Sequence, residues 1–128
     1  MKLSDFELEV MGIMWRSGPI TAPEIHREIG RSKKVSYSTV KTIIDRLEEK
    51  GAVARERTYG RTILYRTKVQ REALSKPMIS SFVRKLFGGN VRPLFNYALD
   101  EENITLEDIA YLEGIIASKK KNLESEDV

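Results

Sequence analysis

The chain has 128 residues, which is room for one ordinary domain or two very small ones. Hydrophobic residues make up 41% of it and charged residues 32%, a balance typical of a folded, water-soluble protein. It has no cysteine and one histidine, so disulfides, thiolate metal sites and cysteine nucleophiles are excluded, and we expect no enzyme activity, metal or cofactor. No apolar run reaches the roughly 20 residues that span a membrane, and the N-terminus carries no secretory signal. We therefore expect a cytoplasmic protein with no membrane partner.

Positive charge is concentrated in one segment of the chain. Residues 31–66 hold ten lysines and arginines against four aspartates and glutamates, whereas residues 67–128 hold nine against ten. A local excess of this kind is typical of a surface that binds nucleic acid.

Two helices are predicted at the N-terminus, each starting at a capping box. Ser4 precedes Glu7, and Thr21 precedes Glu24, at the spacing in which side chains and backbone N–H groups satisfy each other. Apolar residues then recur at helical spacing. Gly30 ends the second helix.

A third helix is predicted over residues 36–50, with an aliphatic stripe on one side and polar residues on the other. Two short strands follow, over residues 53–57 and 62–66, joined by a turn. Three helices followed by a basic hairpin is the order of a winged helix-turn-helix domain. We expect that domain over residues 1–68, in a protein that is mostly α with a small β-hairpin.

Three further helices are predicted after residue 68, and Pro77 indicates a start or a kink in the first of them. They carry more apolar surface than they can bury against each other, which favours a helical dimerisation domain over residues 69–121. An alternative is that they fold back onto the winged helix. Residues 122–128 are acidic and polar, and we expect a disordered tail there. The side chains assigned to the dimer interface are Phe82, Leu86, Phe95, Leu99, Ile109, Leu112 and Ile116.

Candidate DNA contacts lie on the third helix, in the loop before it and in the hairpin. Hydroxyl groups and cations on the helix can bond base edges or phosphates, and Lys41 can bond guanine. Arginines at a hairpin tip can follow the DNA backbone or enter a narrow minor groove. An ordinary solvated helix and a charged edge strand would give a similar pattern, but their combination with a basic loop favours DNA. The residues assigned to DNA are Ser36, Ser38, Thr39, Lys41, Thr42 and Arg46 on the helix, Lys33 and Lys34 in the loop, and Arg55, Arg57 and Arg61 in the hairpin.

Two isolated side chains favour a structural interpretation. Trp15 is the one tryptophan, and we expect it to pack between the first helix and the end of the winged helix rather than to stack on a base. His26 has no second histidine or cysteine to share a metal with, so we expect a surface residue.

Several stretches resemble the BlaI/MecI/CopY family of transcriptional repressors. The resemblance implies a homodimer that binds a palindromic operator with TACA/TGTA-type half-sites. The similar stretches are Leu3–Trp15, Ser36–Gly51, the wing pattern of Gly60, Arg61 and Tyr65, and, more loosely, Phe82–Gly89 followed by Asn96 and Tyr97.

The resemblance also implies a way of releasing the operator. In the penicillinase branch, a membrane sensor protease signals cleavage near an Asn–Phe bond, and the matching position here reads Asn96-Tyr97. In the copper branch, C-terminal cysteines bind metal, and the absence of cysteine excludes that mechanism. Some members carry lysine where this chain has Ser38, which changes the base preference expected at that position.

Two other functions stay open. A MarR-like regulator released by a small ligand would need an apolar pocket with a few convergent polar groups. A winged-helix module that binds proteins without DNA would not need the basic segment over residues 31–66.

Overall fold

The computed structural model describes residues 1–126. Its helices and small sheet confirm the predicted fold class, a winged helix-turn-helix followed by further helices. Among the described residues, no helix is both long and apolar enough to cross a membrane. The elements in chain order are α1 (Asp5–Ser17), β1 (Ile20–Thr21), α2 (Ala22–Ile29), α3 (Tyr37–Glu49), β2 (Val53–Tyr59), β3 (Thr62–Thr67), α4 (Arg71–Phe87), α5 (Arg92–Leu99) and α6 (Leu106–Glu126).

Both predicted capping boxes are present. The Ser4 hydroxyl accepts from the Glu7 N–H at 3.1 Å, and Glu7 Oε1 accepts from the Ser4 N–H at 2.8 Å. Thr21 and Glu24 form the same reciprocal pair at the start of α2. Each pair satisfies N–H groups that a helix end leaves free, and so sets where the helix begins.

The sheet is antiparallel, with strand order β1-β3-β2. The sequence pattern does not predict β1, because two residues are too few to show alternation. This strand forms by pairing Ile20 with Tyr65 of β3. The hairpin of β2 and β3 is longer than predicted, and a bulge lies between Arg55 and Arg57. Gly60 takes a φ of 60° in the turn, as a two-residue hairpin loop requires of its first residue.

The core packs α1, α2 and α3 against the sheet. The aliphatic stripe predicted on α3 is buried, and Tyr65 of β3 is also fully buried. Burial of each such side chain contributes roughly 1.5–3 kcal/mol to stability. This core therefore fixes the positions of the three helices relative to the hairpin. Its members include Val10, Met11, Met14, Ile25, Ile29, Val40, Ile43, Ile44, Leu47 and Val53.

The chain divides into two compact units, and the boundary between Ile79 and Ser80 lies inside α4. From the sequence we expect the boundary earlier, between residues 68 and 69. The start of α4 belongs with the first unit because Trp15 Nε1 donates to the Val69 carbonyl at 3.0 Å. The Arg71 guanidinium also lies 5.6 Å from the Trp15 ring centroid. Trp15 therefore has the structural role predicted for it.

The second unit contains the end of α4, α5 and α6. Val83 is buried, whereas α5 and the described length of α6 contain no buried residue. α6 continues to Glu126, so residues 122–126 are helical where we expect a disordered tail; residues 127 and 128 lie outside the described residues. Lysine and glutamate are good helix formers, and Lys120 and Glu124 stand at the i,i+4 spacing that supports a helix.

Candidate nucleic-acid interface

The first two turns of α3 present a cluster of hydroxyl groups to solvent. The Ser36 hydroxyl caps the helix by accepting from the Thr39 N–H at 3.2 Å, and it lies 3.1 Å from Ser38 Oγ and 2.9 Å from Thr39 Oγ1. Thr42 Oγ1 donates to the Ser38 carbonyl at 2.9 Å. All four side chains are exposed. Hydroxyls near the N-terminus of such a helix are suited to base edges and phosphates in the major groove.

Three of the predicted DNA-binding cations are paired with carboxylates of the chain itself. The sequence does not reveal the Lys33 pair, because its partner is distant in the chain, whereas Lys41 and Asp45 stand at the i,i+4 spacing of one helix. Lys33 also lies 4.4 Å from the centroid of the Phe6 ring, which turns it toward α1. The pairs are Lys33–Glu9 at 3.0 Å, Lys41–Asp45 at 2.6 Å and Arg55–Glu48 at 2.9 Å.

Two of these pairs raise the pKa of the cation that they hold. The hydrogen bond to Asp45 raises the pKa of Lys41, although partial burial opposes it. The hydrogen bond to Glu48 raises the pKa of Arg55. Because exposed ion pairs contribute little to stability, each carboxylate can give up its cation to a DNA phosphate at small cost.

The remaining predicted cations are exposed. Lys34 precedes α3, Arg46 lies on the open side of that helix, and Arg61 lies in the hairpin turn. Arg57 Nη1 donates to the Tyr59 hydroxyl at 2.9 Å, and the guanidinium lies 5.8 Å from the same ring. Two exposed aromatic residues of this surface, Tyr37 and Tyr59, are absent from the sequence prediction, although their places at the start of α3 and at the hairpin tip could have indicated them.

His26 is half-buried rather than a simple surface residue. Its Nε2 donates to the Val35 carbonyl at 2.8 Å, and its ring meets the Tyr37 ring edge-on with centroids 5.9 Å apart. These contacts join α2 to the start of α3 and so help to set the angle between the two helices.

The residues assigned to a dimer interface leave apolar surface open in the second unit. Phe82, Leu86, Phe95, Leu99 and Ile116 are exposed, and Ile109 and Leu112 are partly exposed. The bond between Asn96 and Tyr97 lies inside α5, and both side chains are exposed. The Tyr97 ring lies 6.0 Å from that of Phe87, centroid to centroid.

Comparison with solved structures connects this fold to repressors. A MarR family protein from Bacillus stearothermophilus superposes with a TM-score of 0.53 at 18% identity, over 97% of this chain and 77% of that one, which shows a shared fold. The DNA-binding domain of the repressor BlaI superposes with a TM-score of 0.51 at 31% identity, over 55% of this chain and 84% of that one.

Sequence comparison connects the whole chain to one family. The family model for the penicillinase repressor matches residues 3–118. The penicillinase repressor of Staphylococcus aureus is 30% identical over 122 residues, which cover 93% of this chain and 96% of that protein. The chain therefore belongs to the penicillinase repressor family of DNA-binding transcriptional repressors, as its resemblance to BlaI/MecI/CopY proteins predicts.

Proposed function

We propose that this chain represses transcription as a homodimer on a palindromic operator. α3 of each protomer enters the major groove of one half-site, and the hairpin of β2 and β3 contacts the adjacent backbone. The hydroxyl cluster at the start of α3 is the observation that carries the DNA contact, since it lies exposed beside the cations of the loop and hairpin. Membership in a repressor family favours this function over a winged-helix module that binds proteins.

The second unit supports dimerisation. Phe95 is 57% exposed and Ile116 is 63% exposed, on helices with no buried residue in the described chain. Large apolar side chains left exposed on several helices favour an interaction site in a folded protein. A second copy of the chain is its proposed occupant, because two half-sites one helical turn apart require a two-fold symmetric protein.

The operator test uses duplexes selected from a random library and fluorescence anisotropy. We expect an inverted repeat whose half-sites lie about 10 base pairs apart or a multiple of that, and two protomers per duplex. A single protomer bound to a full site, or equal affinity for selected and scrambled duplexes, would contradict the proposal.

We further propose that cleavage between Asn96 and Tyr97 releases the operator, with a sensor protease as the partner. α5 has eight residues, and none of them is buried. Short helices with so little packing unfold locally at low cost, which would present the bond to a protease in extended form. Cleavage there would separate α6, with its share of the apolar surface, from the DNA-binding unit.

A truncation to residues 1–96 tests this mechanism by sedimentation and operator binding. We expect monomers with a folded first unit and weakened operator affinity, because the truncation removes all of α6. If the truncated chain remained a dimer with full operator affinity, cleavage at this bond could not be the switch.

A further inference from the structure

A small cavity lies between the start of α2, the first turns of α3 and strand β3. Its volume is about 100 Å³. Lys41 and Arg61 line it, together with the hydroxyl-bearing side chains Tyr37, Thr62 and Tyr65. Two cations and three hydroxyl groups converge here, and no carboxylate lines the cavity.

Tyr65 is the unusual member of this set. Its side chain is fully buried, yet its hydroxyl has no partner in the described chain at full hydrogen-bond distance and angle, and Lys41 is the cation that interacts with it. A buried hydroxyl without a partner costs free energy, and folded proteins usually avoid it. A donor held in this way in a cavity that Lys41 and Arg61 also line is suited to an anionic oxygen.

The dimensions and the position of the cavity restrict the anion. The cavity is small, about 100 Å³, and its two cations suit the oxygens of a phosphate group. In a helix-turn-helix, the helix before the reading helix crosses the sugar–phosphate backbone, so a cavity between α2, α3 and β3 lies where a phosphate would pass.

We propose that this cavity binds one phosphate of duplex DNA, with Lys41 and Arg61 supplying the charge and the Tyr65 hydroxyl a buried hydrogen bond. This assignment rests on the DNA binding proposed above. It gives Lys41 a phosphate contact in place of the guanine contact expected from the sequence.

One movement is needed for the phosphate to enter. The Tyr65 hydroxyl is enclosed, so a side chain of the cavity wall must rotate before an oxygen reaches it. Lys41 is suited to this movement because its Nζ lies 6.0 Å from the Tyr65 ring centroid and is held by Asp45 through one partly exposed ion pair. If Lys41 exchanged Asp45 for the phosphate, its side chain would uncover the Tyr65 hydroxyl and bring its ammonium group to the anion.

The test compares Tyr65→Phe with the wild-type full-length chain by anisotropy on the selected operator duplex. The substitution removes a hydroxyl that has no partner in the free protein, so the urea midpoint should not fall. We expect the dissociation constant to rise roughly tenfold, the effect of losing one hydrogen bond to a charged group. The salt dependence should keep its slope, because no charge is lost, whereas Arg61→Ala should lower that slope by about one. Tyr111→Phe, the same change on an exposed residue of α6, is the matched control and should bind as the wild type.

A scan of operator duplexes, each with one neutral methylphosphonate, locates the phosphate. At one position in each half-site, the modification should strongly weaken binding by the wild-type protein and should hardly affect binding by Tyr65→Phe. If Tyr65→Phe binds as tightly as the wild type, or if both proteins respond equally at every position, the cavity is not a phosphate site. A wild-type chain that binds no duplex contradicts the proposed function itself, so the two failures are distinguishable.

Discussion

At the scale of single residues, Glu7 is a buried carboxylate on which several parts of the first unit converge. Its Oε1 accepts from the Ser4 N–H and from Lys50 Nζ, both at 2.8 Å, while Oε2 has no partner in the described chain. Lys50 Nζ also donates to the Lys2 carbonyl at 3.1 Å. The carboxylate thus joins the start of α1 to the end of α3.

Glu7 makes the free energy of unfolding depend on pH. Burial raises the pKa of its carboxyl, but the hydrogen bonds from Lys50 and Ser4 and the charge of Lys50 outweigh burial, so the pKa lies below its ordinary value of 4.5. A carboxyl whose pKa is lower in the folded state stabilises the fold above its unfolded pKa. That stabilisation is lost as the pH falls through the folded pKa.

We expect Glu7→Gln to lower the free energy of unfolding at pH 7 by roughly 1–3 kcal/mol, because a charged acceptor is removed from buried hydrogen bonds. The difference in the free energy of unfolding between the variant and the wild type should become smaller below about pH 4.5, where the wild-type carboxyl also becomes protonated. Urea denaturation at several pH values measures both effects. Glu9→Gln removes the charge from an exposed ion pair with Lys33 and is the control. It should change the free energy of unfolding little. An equal gap at pH 7 and pH 3 would show that the charge of Glu7 does not stabilise the fold.

Ser38 and Arg57 should differ in what they contribute to DNA binding. We expect Ser38→Ala to reduce the preference for the operator over scrambled DNA, because Ser38 lies in the hydroxyl cluster of α3. Arg57→Ala should weaken binding to both duplexes alike and lower the salt slope by about one, as loss of a phosphate contact does. Competition anisotropy at several salt concentrations separates the two effects. Glu49→Gln, at the far end of α3, serves as the control for Ser38→Ala, and unchanged discrimination by Ser38→Ala would exclude base contact by this residue.

At the scale of elements, α4 is continuous although it contains Pro77. A proline inside a helix lacks the N–H that would donate to the carbonyl four residues earlier, and its ring crowds that carbonyl. The first turn of α4 is held by Trp15, and its far end carries the buried Val83. Packing at both ends therefore maintains a helix that its own sequence disfavours.

We expect Pro77→Ala to raise the free energy of unfolding by roughly 1–3 kcal/mol, because alanine restores the missing hydrogen bond and the best helix propensity. Urea denaturation of the full chain measures the change. Ser80→Ala, in the same helix, is the matched control and should alter stability by less than about 0.5 kcal/mol. A loss of stability in Pro77→Ala would mean that the native path of α4 requires the proline.

At the scale of the whole molecule, the two units differ in how much of their apolar surface they bury. The first unit buries its aliphatic stripes in one core, whereas the second leaves Phe82, Leu86 and Phe95 exposed. In the proposed function, the first unit reads DNA and the second assembles the dimer. Loss of assembly would then weaken the operator complex without unfolding the DNA-binding unit.

Ile116→Asp should yield monomers, since each dimer would bury two unpaired charges at its interface. Ile116 is exposed in the single chain, so the fold itself should persist. Sedimentation gives the mass, circular dichroism the helix content and anisotropy the operator affinity. Ser118→Asp introduces the same charge at an exposed polar position of α6 and should remain dimeric. A dimeric Ile116→Asp variant would place the interface elsewhere.

Local patterns in the sequence determined most of the elements of this protein. The capping boxes of α1 and α2, the aliphatic stripe of α3 and the turn at Gly60 each involve residues only a few positions apart. Their hydrogen bonds and backbone angles involve only residues a few positions apart, so the order of residues alone predicts them. The motifs of α1, α3 and the hairpin were also sufficient to indicate the family.

Only the tertiary structure decided which charges pair across distant parts of the chain and which polar groups line one cavity. Lys33 meets a carboxylate 24 positions away, and Lys50 meets one 43 positions away. β1 exists because β3 returns beside it, and the cavity around Tyr65 forms only when α2, α3 and β3 pack together. Such contacts depend on the path of the whole chain, because residues distant in sequence become neighbours only when the core brings their elements together.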